Sequence, residues 1–116
     1  MTDRPQPINV SEITRGMELD PTQYAVFRGG ASFQLRPTEY IMDKVTGLVK
    51  PTHGASLDIE PNNVEKFGGA YQIKSISPEL KIVQRGSRIS HFEVVPREAM
   101  QLKDFQAALN KIELYN

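Results

Sequence analysis

The sequence predicts a single α+β domain: compact, with mostly antiparallel sheets of short strands and two or three helices. Short apolar or alternating runs recur between Gly, Pro, Asn and Asp breaks, at residues 24–28, 55–59, 71–76, 80–84 and 89–95. The stretch 101–113 changes period, with Leu102, Phe105, Leu109 and Ile112 at steps of three and four residues, which is a helical stripe. A chain of 116 residues with 39% hydrophobic and 24% charged side chains is long enough for one core.

Residues 1–8 contain Pro5 and Pro7 and no periodicity, so a flexible tail is expected there and a single domain over 9–116. Asn9-Val10-Ser11-Glu12-Ile13 reads as one helical turn or an edge segment, ended by Gly16. Tyr24-Ala25-Val26-Phe27-Arg28 follows the Asp20-Pro21 break and is a strand of aromatic and β-branched residues. Residues 32–36 alternate before Pro37, as a short strand or extended arm would, and 43–52 are a loop. In 55–59, Ala55, Leu57 and Ile59 share one face and Ser56 and Asp58 the other. Pro61 at a first helical position and Gly68-Gly69 as a stop bracket a short helix over 62–67. Ser77-Pro78-Glu79 and Arg85-Gly86-Ser87-Arg88 separate three further strands, for which adjacent antiparallel pairing is expected.

Charge is balanced, 14 basic against 14 acidic residues, which disfavours a dedicated nucleic-acid binder with one basic face. The local basic stretch Lys74, Lys81, Arg85, Arg88 and Arg97 is interrupted by Glu79, Glu93 and Glu98 and reads as a mixed solvated surface. Cysteine is absent, which excludes disulfides and thiolate metal sites. Two histidines so far apart, without a nearby acidic cluster, give no metal-ligand spacing. No apolar stretch approaches a membrane span, so no membrane partner is expected. The first residues lack the charged and apolar blocks of a secretory signal, which contact-dependent delivery does not need.

Three strand ends carry chemistry. Arg28 closes a buried run, where a guanidinium must be paired or solvated, and Gly29-Gly30 lets a ligand approach the backbone. Its planar fork suits phosphate or carboxylate, although the bland alternative is a strand emerging into water at a turn. His53 and Ser56 flank the small residues Gly54-Ala55, which leave room for a planar ring or ribose. In His91-Phe92-Glu93-Val94-Val95, His91 and Glu93 share a face; Glu93 could stabilise an oxocarbenium-like ribose or pair with Lys81 or Arg85 across strands.

These segments carry a resemblance. Ala25-Val26-Phe27-Arg28, Gly47-Leu48-Val49-Lys50-Pro51 with His53-Gly54-Ala55-Ser56-Leu57-Asp58, Pro78-Glu79-Leu80-Lys81-Ile82-Val83-Gln84, and Ser90-His91-Phe92-Glu93-Val94-Val95-Pro96 with Met100 run in one order. In that order they resemble the small toxins of the second exported effector family of type VI secretion. That family's fold resembles the NAD-dependent ADP-ribosyltransferases. The resemblance covers about residues 24–112. Ala55 stands where the toxin has threonine, and Glu93 also replaces a threonine. The order arginine, strand serine, glutamate is instead that of one ADP-ribosyltransferase class, with His91 in place of the usual second acid or amide.

The resemblance implies an ADP-ribosyltransferase-like toxin that acts in the cytoplasm of its producer or of a target cell, with NAD as substrate and a cognate immunity or antitoxin protein. Arg28, Ser56 and Glu93 would be catalytic, and Arg28, Gly29, His53, Gly54, Ser56 and His91 would line the NAD site. The identity of a protein or nucleic-acid target is left open. Two alternatives stand beside this: a non-catalytic module that binds a protein or nucleotide on the same fold, and a ribonuclease toxin using His53, His91 and Arg85.

Overall fold

A computed structural model describes residues 4–115. Its centre is one seven-stranded sheet: β1 (Glu18–Leu19), β2 (Phe27–Gly29), β3 (Ala55–Asp58), β4 (Ala70–Ser75), β5 (Leu80–Gln84), β6 (His91–Pro96) and β7 (Glu113–Leu114). The spatial order is β1-β5-β6-β3-β2-β4-β7, and every ladder between these strands is antiparallel. One α-helix, α1 (Leu102–Asn110), completes the α+β architecture.

The chain forces this sheet to curl. β4 and β5 are consecutive in sequence yet four strand spacings apart in the sheet, about 19 Å if it were flat. Ser75 to Leu80 spans at most about 17 Å fully extended, and the Leu80 N–H donating to the Ser77 carbonyl (3.0 Å) shortens it further. A flat sheet is therefore excluded, and the strands form a half-barrel. This corrects one sequence expectation. β5 and β6 do pair, Leu80 opposite Pro96 through Gln84 opposite Phe92, but β4 pairs with β2 and β7 rather than with β5. Turn residues between two strands specify a reversal of direction, not the neighbour across it.

Other expectations shift at element ends. Residues 32–36 form no ladder; the Gln106 side chain takes the partner strand's place, its Oε1 accepting from Leu35 N (2.8 Å) and its Nε2 donating to Phe33 O (2.9 Å). The expected helix over 62–67 is two 3-10 turns, Pro61–Asn63 and Glu65–Phe67, stopped by Gly68 at φ 111°. The C-terminal helix ends at Asn110, and Glu113–Leu114 crosses over to cover the free edge of β4. Residues 4–8 are not a free tail: Ala25 N donates to Gln6 O (2.9 Å), Gln72 Nε2 donates to Pro5 O (3.1 Å), and Ile8 is buried. Residues 1–3 of the expected tail lie outside the described residues.

The core fills the hollow of the curl. Leu57, Ile73, Leu80, Ile82, Phe92 and Val94 are contributed by the sheet, and α1 lays Phe105, Ala108 and Leu109 against them. Val49, fully buried in the loop after Gly47, ties that loop to the segment before α1 through paired backbone bonds with Met100 (2.7 and 3.3 Å). No helix of the described residues is long and apolar enough to cross a membrane.

Leu109 has no exposed surface. Leu109→Ala should therefore cost about 2–5 kcal/mol through the lost transfer energy and the residual cavity, read as a fall in denaturation midpoint with an unchanged denaturant slope.

Candidate functional site

The candidate residues come from adjacent strands. β2 carries Arg28, β3 carries Ser56, and β6 carries His91 and Glu93. Ser56 lies directly opposite Glu93 in the β3–β6 ladder, so the two share a face of the sheet.

Between β2 and β3 the ladder has a single registered pair, Phe27 opposite Asp58. Beyond it, side chains take over the backbone groups of β3. Arg28 Nη1 donates to the Ser56 carbonyl (3.0 Å) and to Glu39 Oε2 (3.0 Å), and that same carboxylate oxygen accepts the Ser56 N–H (3.1 Å). Arg28 Nε donates to Ser32 O (3.0 Å), and the guanidinium stacks over Phe33 at 5.0 Å. Pro37 opens the 3-10 turn Pro37–Glu39, and Glu39 Oε1 accepts from Arg36 N (3.2 Å), which aims the carboxylate back at Arg28. Both side chains are nearly excluded from water, 9% and 10% exposed. Burial pushes the Glu39 carboxyl up, but the Arg28 hydrogen bond, the Ser56 N–H and the Arg28 charge together outweigh it and hold the group below its ordinary value.

A cleft of about 290 Å³ opens over this strip. Arg28, Gly29, Arg36, Ser56, Phe67, Arg88 and His91 are among its lining residues. Arg88 is anchored by Asp58 (3.0 Å), itself fully buried and bonded to Glu60 N (2.9 Å) and Asn63 Nδ2 (3.2 Å). Phe67 leaves 55% of its surface exposed at the wall. Three guanidinium groups thus stand near a half-exposed aromatic ring that also has the Lys66 ammonium over it at 5.3 Å, a combination whose charge and shape suit an anion with a planar part.

Glu93 borders this cleft rather than lining it, held behind His91. Its Oε1 accepts the Gly54 N–H (3.0 Å), its Oε2 bonds His91 Nε2 (3.1 Å), and Arg85 Nε approaches to 3.9 Å. Burial raises this carboxyl as well, yet the bonds from His91 and Gly54 and the nearby histidines bring it below its ordinary value, so it is held ionised. His53 lies on the other flank, its Nε2 at 3.1 Å from Arg85 Nη2 and its Nδ1 at 3.0 Å from Thr52 Oγ1. The structure thus joins Arg28, Gly29, Ser56 and His91 in the cleft, and His53, Gly54 and Glu93 in a network beside it.

The glycines serve the scaffold. A Cβ on Gly54 would overlap the Val94 carbonyl oxygen, so the space expected for a ligand ring is occupied by β6. A Cβ on Gly29 would meet Val64 O at 2.8 Å and Phe67 Cβ at 2.9 Å, so this glycine seats the turns that form the cleft wall. Glu39, the partner of Arg28, escaped the sequence reading. Two signals pointed to it: an arginine ending a buried strand requires a counter-charge, and Pro37 followed by Glu39 is the start of a helical turn.

The Glu39 pair sets a pH dependence. A carboxyl lowered in the folded state stabilises above its unfolded value near 4.5, and that contribution is lost as the pH falls through the folded value. Glu39→Gln should flatten this acid-side slope in pH-dependent thermal melts. At neutral pH it should destabilise by about 3–5 kcal/mol, the scale of breaking a buried ion pair.

Comparison with known protein families, curated proteins and solved structures finds no match to this chain. The chemistry of the cleft and its flank is therefore the ground on which a function is assigned.

Proposed function

We propose that this chain is an NAD-dependent, ADP-ribosyltransferase-like toxin domain that acts in a cytosol and is restrained by a cognate immunity protein seated over the cleft. One observation carries the reading: arginine, serine and glutamate stand on three strands that are neighbours in space, β2, β3 and β6. Arg36 and Arg88 take the diphosphate, together with Arg28 Nη2, the guanidinium nitrogen left over once Nε and Nη1 are engaged. Phe67 offers a face to a planar base. Ser56 Oγ borders the nicotinamide ribose. From its place behind His91, the ionised Glu93 acts through space, its charge stabilising the positive charge that develops at the ribose C1′ as the bond to nicotinamide breaks. The arginine-rich rim suits an immunity protein that presents acidic side chains.

Incubation with NAD should release nicotinamide, and induced expression in a susceptible cytosol should arrest growth. Glu93→Gln should lower turnover about a hundredfold or more, the scale of roughly 3 kcal/mol of transition-state stabilisation. From sequence, Glu93 reads as an exposed strand position whose substitution leaves stability unchanged; at 13% side-chain exposure with three partners the change should also lower the melting temperature measurably. NAD binding without nicotinamide release, by folded protein, would identify the non-catalytic module instead.

A further inference from the structure

The flank of Glu93 away from the cleft has a chemistry that the NAD reading leaves unused. Arg85 Nη2 meets His53 Nε2 at 3.1 Å, and a guanidinium can only donate. The His53 Nε2 lone pair therefore accepts this bond, and the ring proton is on Nδ1, directed at Thr52 Oγ1. His91 is in the opposite state. Its Nε2 faces the ionised Glu93 carboxylate at 3.1 Å and is the donor there, so Nδ1 is the ring nitrogen that Glu93 does not engage. Asp58, opposite His91 in the β3–β6 ladder, carries Arg88 on its carboxylate. His53 thus meets the Arg85 guanidinium directly, and His91 is linked to it through the Glu93 carboxylate.

That guanidinium is incompletely used. Arg85 Nε is buried without a hydrogen-bond partner among the described residues, and its contact to Glu93 Oε1 is long at 3.9 Å. The side chain is 33% exposed. Arg15 docks on the same loop, donating to Gly86 O (3.1 Å) and Ser87 O (3.4 Å), and Arg88 is 59% exposed at its other end. Three guanidinium groups therefore gather at one loop, the kind of charge that a run of phosphates requires.

We infer that His53, Arg85 and His91 form a site that cleaves single-stranded RNA by internal phosphoryl transfer. Arg85 holds the non-bridging oxygens of the scissile phosphate. As Arg85 turns to the phosphate its bond to His53 Nε2 breaks, and the freed Nε2 takes the proton of the ribose 2′-hydroxyl as the 2′-oxygen bonds to phosphorus. The bond from phosphorus to the 5′-oxygen breaks, and His91 delivers a proton to that oxygen. The products are a 2′,3′-cyclic phosphate and a free 5′-hydroxyl, and water returns the histidines to their starting states. Glu93 is a positioning residue here, fixing the ring of His91. The activity shares His91 and Arg88 with the wall of the cleft but does not use Arg28, and cleavage of RNA is read independently of nicotinamide release.

The test uses the full chain and an end-labelled single-stranded RNA oligonucleotide, with DNA of the same sequence as control. RNA should be cut to cyclic-phosphate ends and DNA, lacking the 2′-hydroxyl, left intact. The pH–rate profile should be bell-shaped. His53→Gln should remove its acid limb, His91→Gln its alkaline limb, and each should lower the rate about a hundredfold, with circular dichroism confirming that both variants fold. Intact RNA after incubation with folded wild-type protein across the pH range would overturn the inference. So would equal cleavage of DNA, or folded histidine variants that cut as fast as wild type.

Discussion

The opening between β2 and β3 depends on one ion pair. A β-strand whose neighbour departs leaves an N–H and a carbonyl that must be satisfied if they are to be kept from water. At Ser56 the Glu39 carboxylate accepts the N–H and the Arg28 guanidinium donates to the carbonyl. The pair therefore substitutes for a strand, and it lets the sheet part at the place where a ligand would enter. Neither charge could stand there alone, since each would be buried without compensation. Arg28 is in this sense structural first: two of its three nitrogens serve the fold, and only the remainder is available to a ligand.

The two flanks of β6 show how alternation distributes roles. Phe92 and Val94 fill the core, while His91 and Glu93 stand on the other face beside Ser56. Glu93 links both sides of that face, through His91 toward the cleft and through Gly54 toward His53 and Arg85. The close approach that Gly54 permits is what brings its N–H to the Glu93 carboxylate. A substitution at this glycine would act on the carboxylate as much as on the sheet.

Much of this was legible in the sequence where a local rule applied. The strand around Arg28, the alternation of Ser56 against Leu57, the pairing of β5 with β6 and the stripe Phe105–Leu109 all follow from period and turn chemistry over a few residues. What was not legible depends on distant partners. That β4 joins β2 is decided by curvature, and that Leu35 is satisfied by Gln106 depends on a contact 71 positions away. The candidate site divides the same way. Arg28, Ser56, His91 and Glu93 were visible as chemistry at strand ends, whereas Glu39 and the seating of Arg88 on Asp58 needed the assembled fold.

The curl of the sheet also bears on how the chain reaches its native state. Of the two ladders that join consecutive strands, only β5–β6 is a short hairpin, since β2 reaches β3 through the long segment between Gly29 and Ala55; β1 finds β5 across more than sixty residues, Glu18 opposite Val83, and β3 meets β6 from Ala55 to Val94. Each such closure must meet its loop entropy before its contacts repay it, so this is a topology of high contact order and slow folding. While β7 is unpaired, the outer edge of β4 is an open template for another chain. Newly made or newly refolding protein therefore passes through a period in which self-association competes with completion of the sheet.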